Sequence, residues 1–168
     1  NTIHALGHRA LARLCAEVGD DEGVKEHDAR AAHTERALMD KCWDEERGLF
    51  FDLAGGDEHK LKVSTVSSLL PLALPSLDAD IAKRLIAQLE DPGEYGTPYP
   101  VPSTAVSEGA FVPGYVEKLV WRGPSWLNTN WYVMRGLAEH GREDLAHKLA
   151  SSSAELVEQH GFREYYDP

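Results

Sequence analysis

The chain has 168 residues, 42% of them hydrophobic, enough for one domain or part of a larger one, and its formal net charge is −11. A chain this acidic lacks the basic patches that nucleic acids and anionic membrane surfaces require, so neither is expected as a partner. Its two cysteines, Cys15 and Cys42, form no Cys-x-x-Cys, no apolar run approaches the ~20 residues of a membrane span, and no signal-peptide pattern follows Asn1. Together these point to reduced thiols and a cytoplasmic setting.

The first predicted element is a helix over residues 2–18. Ile3, Leu6, Ala10, Leu11, Leu14, Cys15 and Val18 recur there at the helical period. Gly19 ends it. Asp20 and Asp21 suit the start of a second helix, over 21–43, whose apolar stripe is Val24, Ala31, Leu38, Met39 and Cys42. Residues 44–48 read as a turn, 49–53 as a short strand and 54–57 as a hairpin tip, with 60–63 returning. A third helix is expected over 65–74, stopped by Pro75. A fourth follows over 78–90, on Ile81, Leu85, Ile86 and Leu89. Residues 91–124 are rich in Pro, Gly and Tyr and carry no helical period. So long an irregular stretch in a compact domain marks a functional loop. Two further helices, over 125–140 and 142–159, are separated by Gly141, and an aromatic segment follows Gly161. Six helices in antiparallel pairs predict an all-α toroid, with a short β-hairpin near 49–63 and the long loops gathered at one mouth. No fixed-period repeat of the solenoid kind is present.

Three groups of residues invite chemistry. Glu164 lies past a glycine and is flanked by Phe162, Tyr165 and Tyr166. A carboxylate among aromatics loses hydration, which raises its pKa and suits acid–base work. Trp121-Arg-Gly-Pro-Ser-Trp126 places two indoles and a guanidinium around a rigid turn. Indole faces stack on the C–H faces of sugars. Trp126, however, shares a helical stripe with Asn130, Val133 and Leu137, so it reads equally as a core plug or as a pocket wall. Asn130 on that stripe needs a polar partner. The eight histidines include His4 and His8 at i, i+4. His4 sits on the apolar stripe and the His-Glu-x-x-His pattern is absent, so no metal is expected. No nucleophile elbow and no dinucleotide fingerprint is present, and no cofactor is expected.

Four stretches together resemble glycoside hydrolase family 63, in particular its bacterial mannosylglycerate and glucosylglycerate hydrolases. They are 43–52 (WDEERGLFFD), 95–103 (YGTPYPVPS), Trp121 to Trp126 with Asn130 and Trp131, and 161–168 (GFREYYDP). The resemblance implies an (α/α)6 barrel and an inverting α-glycosidase acting on a small α-glucoside or α-mannoside, with glycosylglycerates as the named candidates. It implies Glu164 as general base and Trp121, Arg122 and Trp126 as substrate-binding residues. The family's catalytic Asp has no counterpart here. On that basis residues 1–168 are expected to be the C-terminal portion of one catalytic domain, trimmed at both ends. Alone it should be inactive, and its uncovered inner faces should invite self-association. Two other readings stand beside this one: a sugar epimerase or isomerase on a related toroid, which needs paired histidines, and a non-catalytic helical binding module.

Overall fold

The computed structural model describes residues 1–114 and 116–168. The chain divides into two compact units, Asn1–Trp43 and Asp44–Pro168.

The first unit is a helical hairpin of α1 (Thr2–Glu17) and α2 (Asp21–Ala37). Asp20 caps α2, its carboxylate accepting from the Gly23 amide at 2.9 Å. The two helices meet through small side chains, with Ala5, Ala12 and Ala31 all buried. Arg9 bridges them. Its guanidinium grips the Glu35 carboxylate with two bonds of 2.8 and 3.1 Å and reaches Asp28 at 2.8 Å. The stripe expected to be the core face of α1 is not buried within this unit: Ile3, Leu11, Leu14 and Val18 are exposed. Alanine and threonine on the opposite face allow close helix approach, and that face takes α2 instead. The second helix ends earlier than expected, at Ala37, and widens into a single π turn over Leu38–Cys42. Its predicted stripe holds: Ala31, Leu38 and Cys42 are buried. Both cysteines are free.

In the second unit the chain first forms short strands. β1 (Trp43–Asp44) enters the unit and a tight turn leads to β2 (Leu49–Phe50). The hairpin of β3 (Asp52–Ala54) and β4 (His59–Leu61) follows, in antiparallel register Asp52↔Leu61, Leu53↔Lys60, Ala54↔His59. Asp44 is buried. It pairs with Lys62 at 2.9 Å and accepts from the Arg47 amide at 3.0 Å, and these hold its carboxyl below the usual range.

The helix expected over 65–74 is instead two 3-10 turns, Val66–Ser68 and Leu70–Ala73. Pro71 is the cause that the residues supply: it has no amide to donate. The Val66 amide, which a helix starting at 65 would leave unpaired, donates to Ser103 O at 3.0 Å. The regular helices are α3 (Ala79–Glu90), capped by Asp78, then α4 (Leu127–Glu139) and α5 (Glu143–His160). The described residues therefore hold five α-helices, not six. α4 packs on α5 and on the Leu70–Ala73 turn. Leu69, Leu72, Leu85, Val133, Leu137, Leu149 and Leu156 are core residues of this unit. Arg142 joins the ends of α3 and α5 through Glu90 (3.1 and 3.2 Å) and Asp144. Among the described residues, no helix is long and apolar enough to cross a membrane.

Candidate active site

In the irregular stretch between α3 and α4, Tyr95, residues 101–105 and residues 123–126 are buried despite the lack of regular secondary structure. Tyr95 is fully buried and its hydroxyl donates to Thr65 O at 2.9 Å. Burial pushes that phenol far above its ordinary pKa, so it stays a neutral donor. Asn130, on α4 and fully buried, holds the same stretch with both ends of its amide. Oδ1 accepts from the Val101 amide at 3.1 Å, and Nδ2 donates to Pro100 O at 2.9 Å. The partner that sequence logic demands for Asn130 is thus the backbone of the 95–103 loop.

That loop in turn carries the tryptophan motif. The Ser103 amide donates to Pro124 O at 3.1 Å, and Ser103 Oγ accepts from the Gly123 amide at 3.0 Å. Thr104 Oγ donates to Trp121 O, and Ser125 Oγ to Tyr99 O, both at 3.0 Å. Gly123 is required here. Its φ is +150°, and a Cβ would lie 2.6 Å from Val112 O.

The terminal segment docks on the same motif. Ser125 and Tyr166 exchange backbone bonds, Ser125 N to Tyr166 O at 2.9 Å and Tyr166 N to Ser125 O at 3.0 Å. The result is an aromatic stack. The rings of Trp121 and Trp126 lie parallel, with centroids 3.9 Å apart and planes 5° off, and Tyr165 follows Trp126 at 5.2 Å. Trp121 is 48% exposed and presents a ring to solvent, whereas Trp126 is 6% exposed and anchors its Nε1 on Val120 O at 2.9 Å. Of the two readings of Trp126, its burial matches the core plug, and it is the ring stacked against the open Trp121.

Glu164 and Arg122 are both exposed. Glu164 sits in the turn that Tyr165 and Tyr166 tie to the stack. A cavity of about 290 Å3 opens beside it, lined by Pro113, His160, Arg163, Tyr165 and Asp167 among others; Glu164, Trp121 and Arg122 do not line that cavity. The structure thus joins the motif bearing Trp121, Arg122 and Trp126 to the segment bearing Glu164 in one place. Sequence reasoning missed the residues that make the junction: Ser103, Thr104, Ser125 and the backbone of Tyr166. Small polar side chains in a loop carry no periodic signal. The one available cue was the density of Ser and Thr beside prolines in 98–104.

His160 lines that cavity, and the paired histidines lie elsewhere. His8 and His27 meet at 3.0 Å between Nδ1 atoms in the first unit, and His59 pairs with Asp57 on the β3–β4 hairpin. Among the described residues no group of three or more His, Cys, Asp or Glu is placed to hold a metal.

Comparison with known proteins converges on one family. The profile of the mannosylglycerate hydrolase MGH1-like glycoside hydrolase domain matches residues 1–168. A mannosylglycerate hydrolase of Rubrobacter radiotolerans is 35% identical over 179 residues, an alignment that covers all of this chain and 37% of that protein. The crystal structure of the family 63 mannosylglycerate hydrolase of Thermus thermophilus in complex with glucose superposes with a TM-score of 0.87 at 31% identity, over 99% of this chain and 38% of that one. Neutral trehalase Nth1 of Saccharomyces cerevisiae shares the fold alone, with a TM-score of 0.69 at 18% identity. The chain belongs to the MGH1-like glycoside hydrolase family. It spans well under half the length of these relatives.

Proposed function

We propose that residues 1–168 form part of an inverting α-glycosidase that hydrolyses a small α-mannoside or α-glucoside of glycerate. The observation that carries this reading is the two-bond Ser125–Tyr166 bridge, because it joins the Glu164 turn to the Trp121–Trp126 stack. Family membership favours it over the epimerase and the binding module, and no histidine pair lies beside the stack. In this reading the two units are parts of an (α/α)6 barrel. Trp121, Arg122 and Trp126 line the sugar site. The open indole of Trp121 takes the sugar's C–H face, and Arg122 supplies positive charge for an anionic aglycone in an otherwise acidic protein.

Glu164 acts as general base. Its carboxylate takes a proton from water as the water oxygen bonds to the anomeric carbon, on the face opposite the leaving group. The glycosidic bond breaks and the leaving glycerate oxygen takes a proton from a carboxylic acid. Inverting geometry sets the two carboxyls about 6.5–9.5 Å apart to admit that water. The acid is an aspartate contributed from outside residues 1–168.

The test is Glu164→Gln in the full-length enzyme. Hydrolysis is expected to fall by a factor of about 10²–10⁴, the usual worth of general-base catalysis, with the thermal midpoint unchanged. NMR of the wild-type reaction should show the inverted anomer released first. Near-normal turnover in the Glu164→Gln protein would remove Glu164 from the base role.

A further inference from the structure

We propose that Tyr166 is a positioning residue for Glu164, an inference that rests on the base role argued above. Tyr166 is 5% exposed, and its side chain folds back over the turn that contains Glu164. Its hydroxyl donates to Gly161 O at 2.8 Å and accepts from the Arg163 amide at 3.0 Å. One phenol therefore closes the turn on both sides of the span from α5 to the base. The same residue's backbone makes the two bonds to Ser125 that fix the turn to the tryptophan motif.

On the same turn, Arg163 Nε reaches back to His160 O at 3.1 Å. Glu164 itself is exposed. The direction in which its side chain leaves the turn is set by its backbone, which the Tyr166 hydroxyl ties at Gly161 and Arg163. A base must hold its water within hydrogen-bond reach of a fixed anomeric carbon, and a displacement of about 1 Å is enough to cost on the order of 10²-fold in rate. Tyr166 does not touch substrate in this account. It acts through Glu164.

A double-mutant cycle on kcat in the full-length enzyme separates this role from simple packing. Tyr166→Phe keeps the ring and removes the hydroxyl. It is expected to lower kcat by about 10- to 100-fold with KM changed less than about threefold, because positioning acts on the transition state. In a Glu164→Ala background, with azide as external nucleophile, the same substitution should cost nothing further, since the group being positioned is gone. An equal loss in both backgrounds, or a wild-type kcat in Tyr166→Phe, would overturn the proposal. If Glu164→Ala alone retains full turnover, the base role fails instead, so the two failures are distinguishable. Should Tyr166→Phe not fold, 2,3-difluorotyrosine at position 166 retains the hydroxyl and the shape at neutral pH. Ionising that phenol at alkaline pH removes the donor to Gly161 O. A new alkaline limb in kcat is expected, and a pH profile coincident with wild type would overturn the positioning role.

Discussion

At the scale of single residues, the second unit depends on polar side chains that bond backbone lacking secondary structure. Asn130 is the clearest case. It is fully buried on α4, and its amide satisfies the Val101 N–H and the Pro100 carbonyl at once. A buried amide bond adds only about 1 kcal/mol when made, but a buried group left unpaired costs about 1–3 kcal/mol. Asn130→Ala orphans two such groups and opens a small void. A loss of about 2–4 kcal/mol by urea denaturation is expected, together with a looser 95–103 loop visible as faster amide exchange at Val101. The need for a partner at Asn130 was legible in the sequence, since a polar residue on an apolar stripe must bond something. Which partner was not legible, because the loop it holds lies 29 residues away and has no period to read.

At the scale of elements, propensity and packing disagree in an instructive way. Gly136 lies in the middle of α4, where alanine is intrinsically better by about 1 kcal/mol. Its Cβ, however, would lie 2.6 Å from the backbone of Leu72, in the Leu70–Ala73 turn, and backbone does not yield as a side-chain tip does. Gly136→Ala should therefore destabilise the protein by roughly 1–3 kcal/mol through overpacking. Gly7, in α1, has open space around it, so Gly7→Ala should stabilise by about 0.5–1 kcal/mol. The two midpoints by thermal melting should move in opposite directions. The same competition explains the failed helix over 65–74. Its apolar residues fit a helical period, yet Pro71, which has no amide for the ladder, favours two tight turns.

The α1–α2 hairpin carries a pH response of its own. His8 faces His4 on its own helix, and His27, Arg30 and Glu26 on α2. Burial is the largest cause that holds its pKa below 6.5, followed by the positive field of His4, His27 and Arg30, with Glu26 opposing. A histidine depressed in the folded state binds fewer protons there than when unfolded. Stability from this group is therefore present above the unfolded pKa, near 6.5, and falls as pH drops below it. Protection of α1 and α2 amides, with the intrinsic pH dependence of exchange divided out, should fall from about pH 7 to 5.5, and His8→Gln should flatten that dependence. An unchanged slope in His8→Gln would assign the response to other groups.

At the scale of the whole molecule, the chain aligns with 37% of its Rubrobacter relative and 38% of the Thermus structure. The proposed chemistry needs two carboxyls, of which the proposal assigns one, Glu164, to these residues. Residues 1–168 alone should therefore show no turnover of mannosylglycerate or glucosylglycerate above the uncatalysed rate. Product formation by this chain by itself, assayed by released hexose, would refute the division of the pair. The outward face of α1 fits the same account. Ile3, Leu11, Leu14 and Val18 follow a helical period, as a buried stripe does, yet they are exposed within their unit.

The sequence by itself determined the helices with strong periods, their glycine and aspartate boundaries, the β-hairpin, and the residue types that carbohydrate chemistry requires. Those features are local: a period, a cap or a turn is written within a few consecutive residues. Only the tertiary structure decided that Trp121 stands open while Trp126 lies beneath it, that Asn130 holds the 95–103 loop, and that Ser125 pairs with Tyr166 to bring the Glu164 turn to the tryptophans. These outcomes depend on hydrogen bonds and ring contacts between segments far apart in the chain. No local pattern encodes such partners, because what selects them is the burial that the fold itself creates.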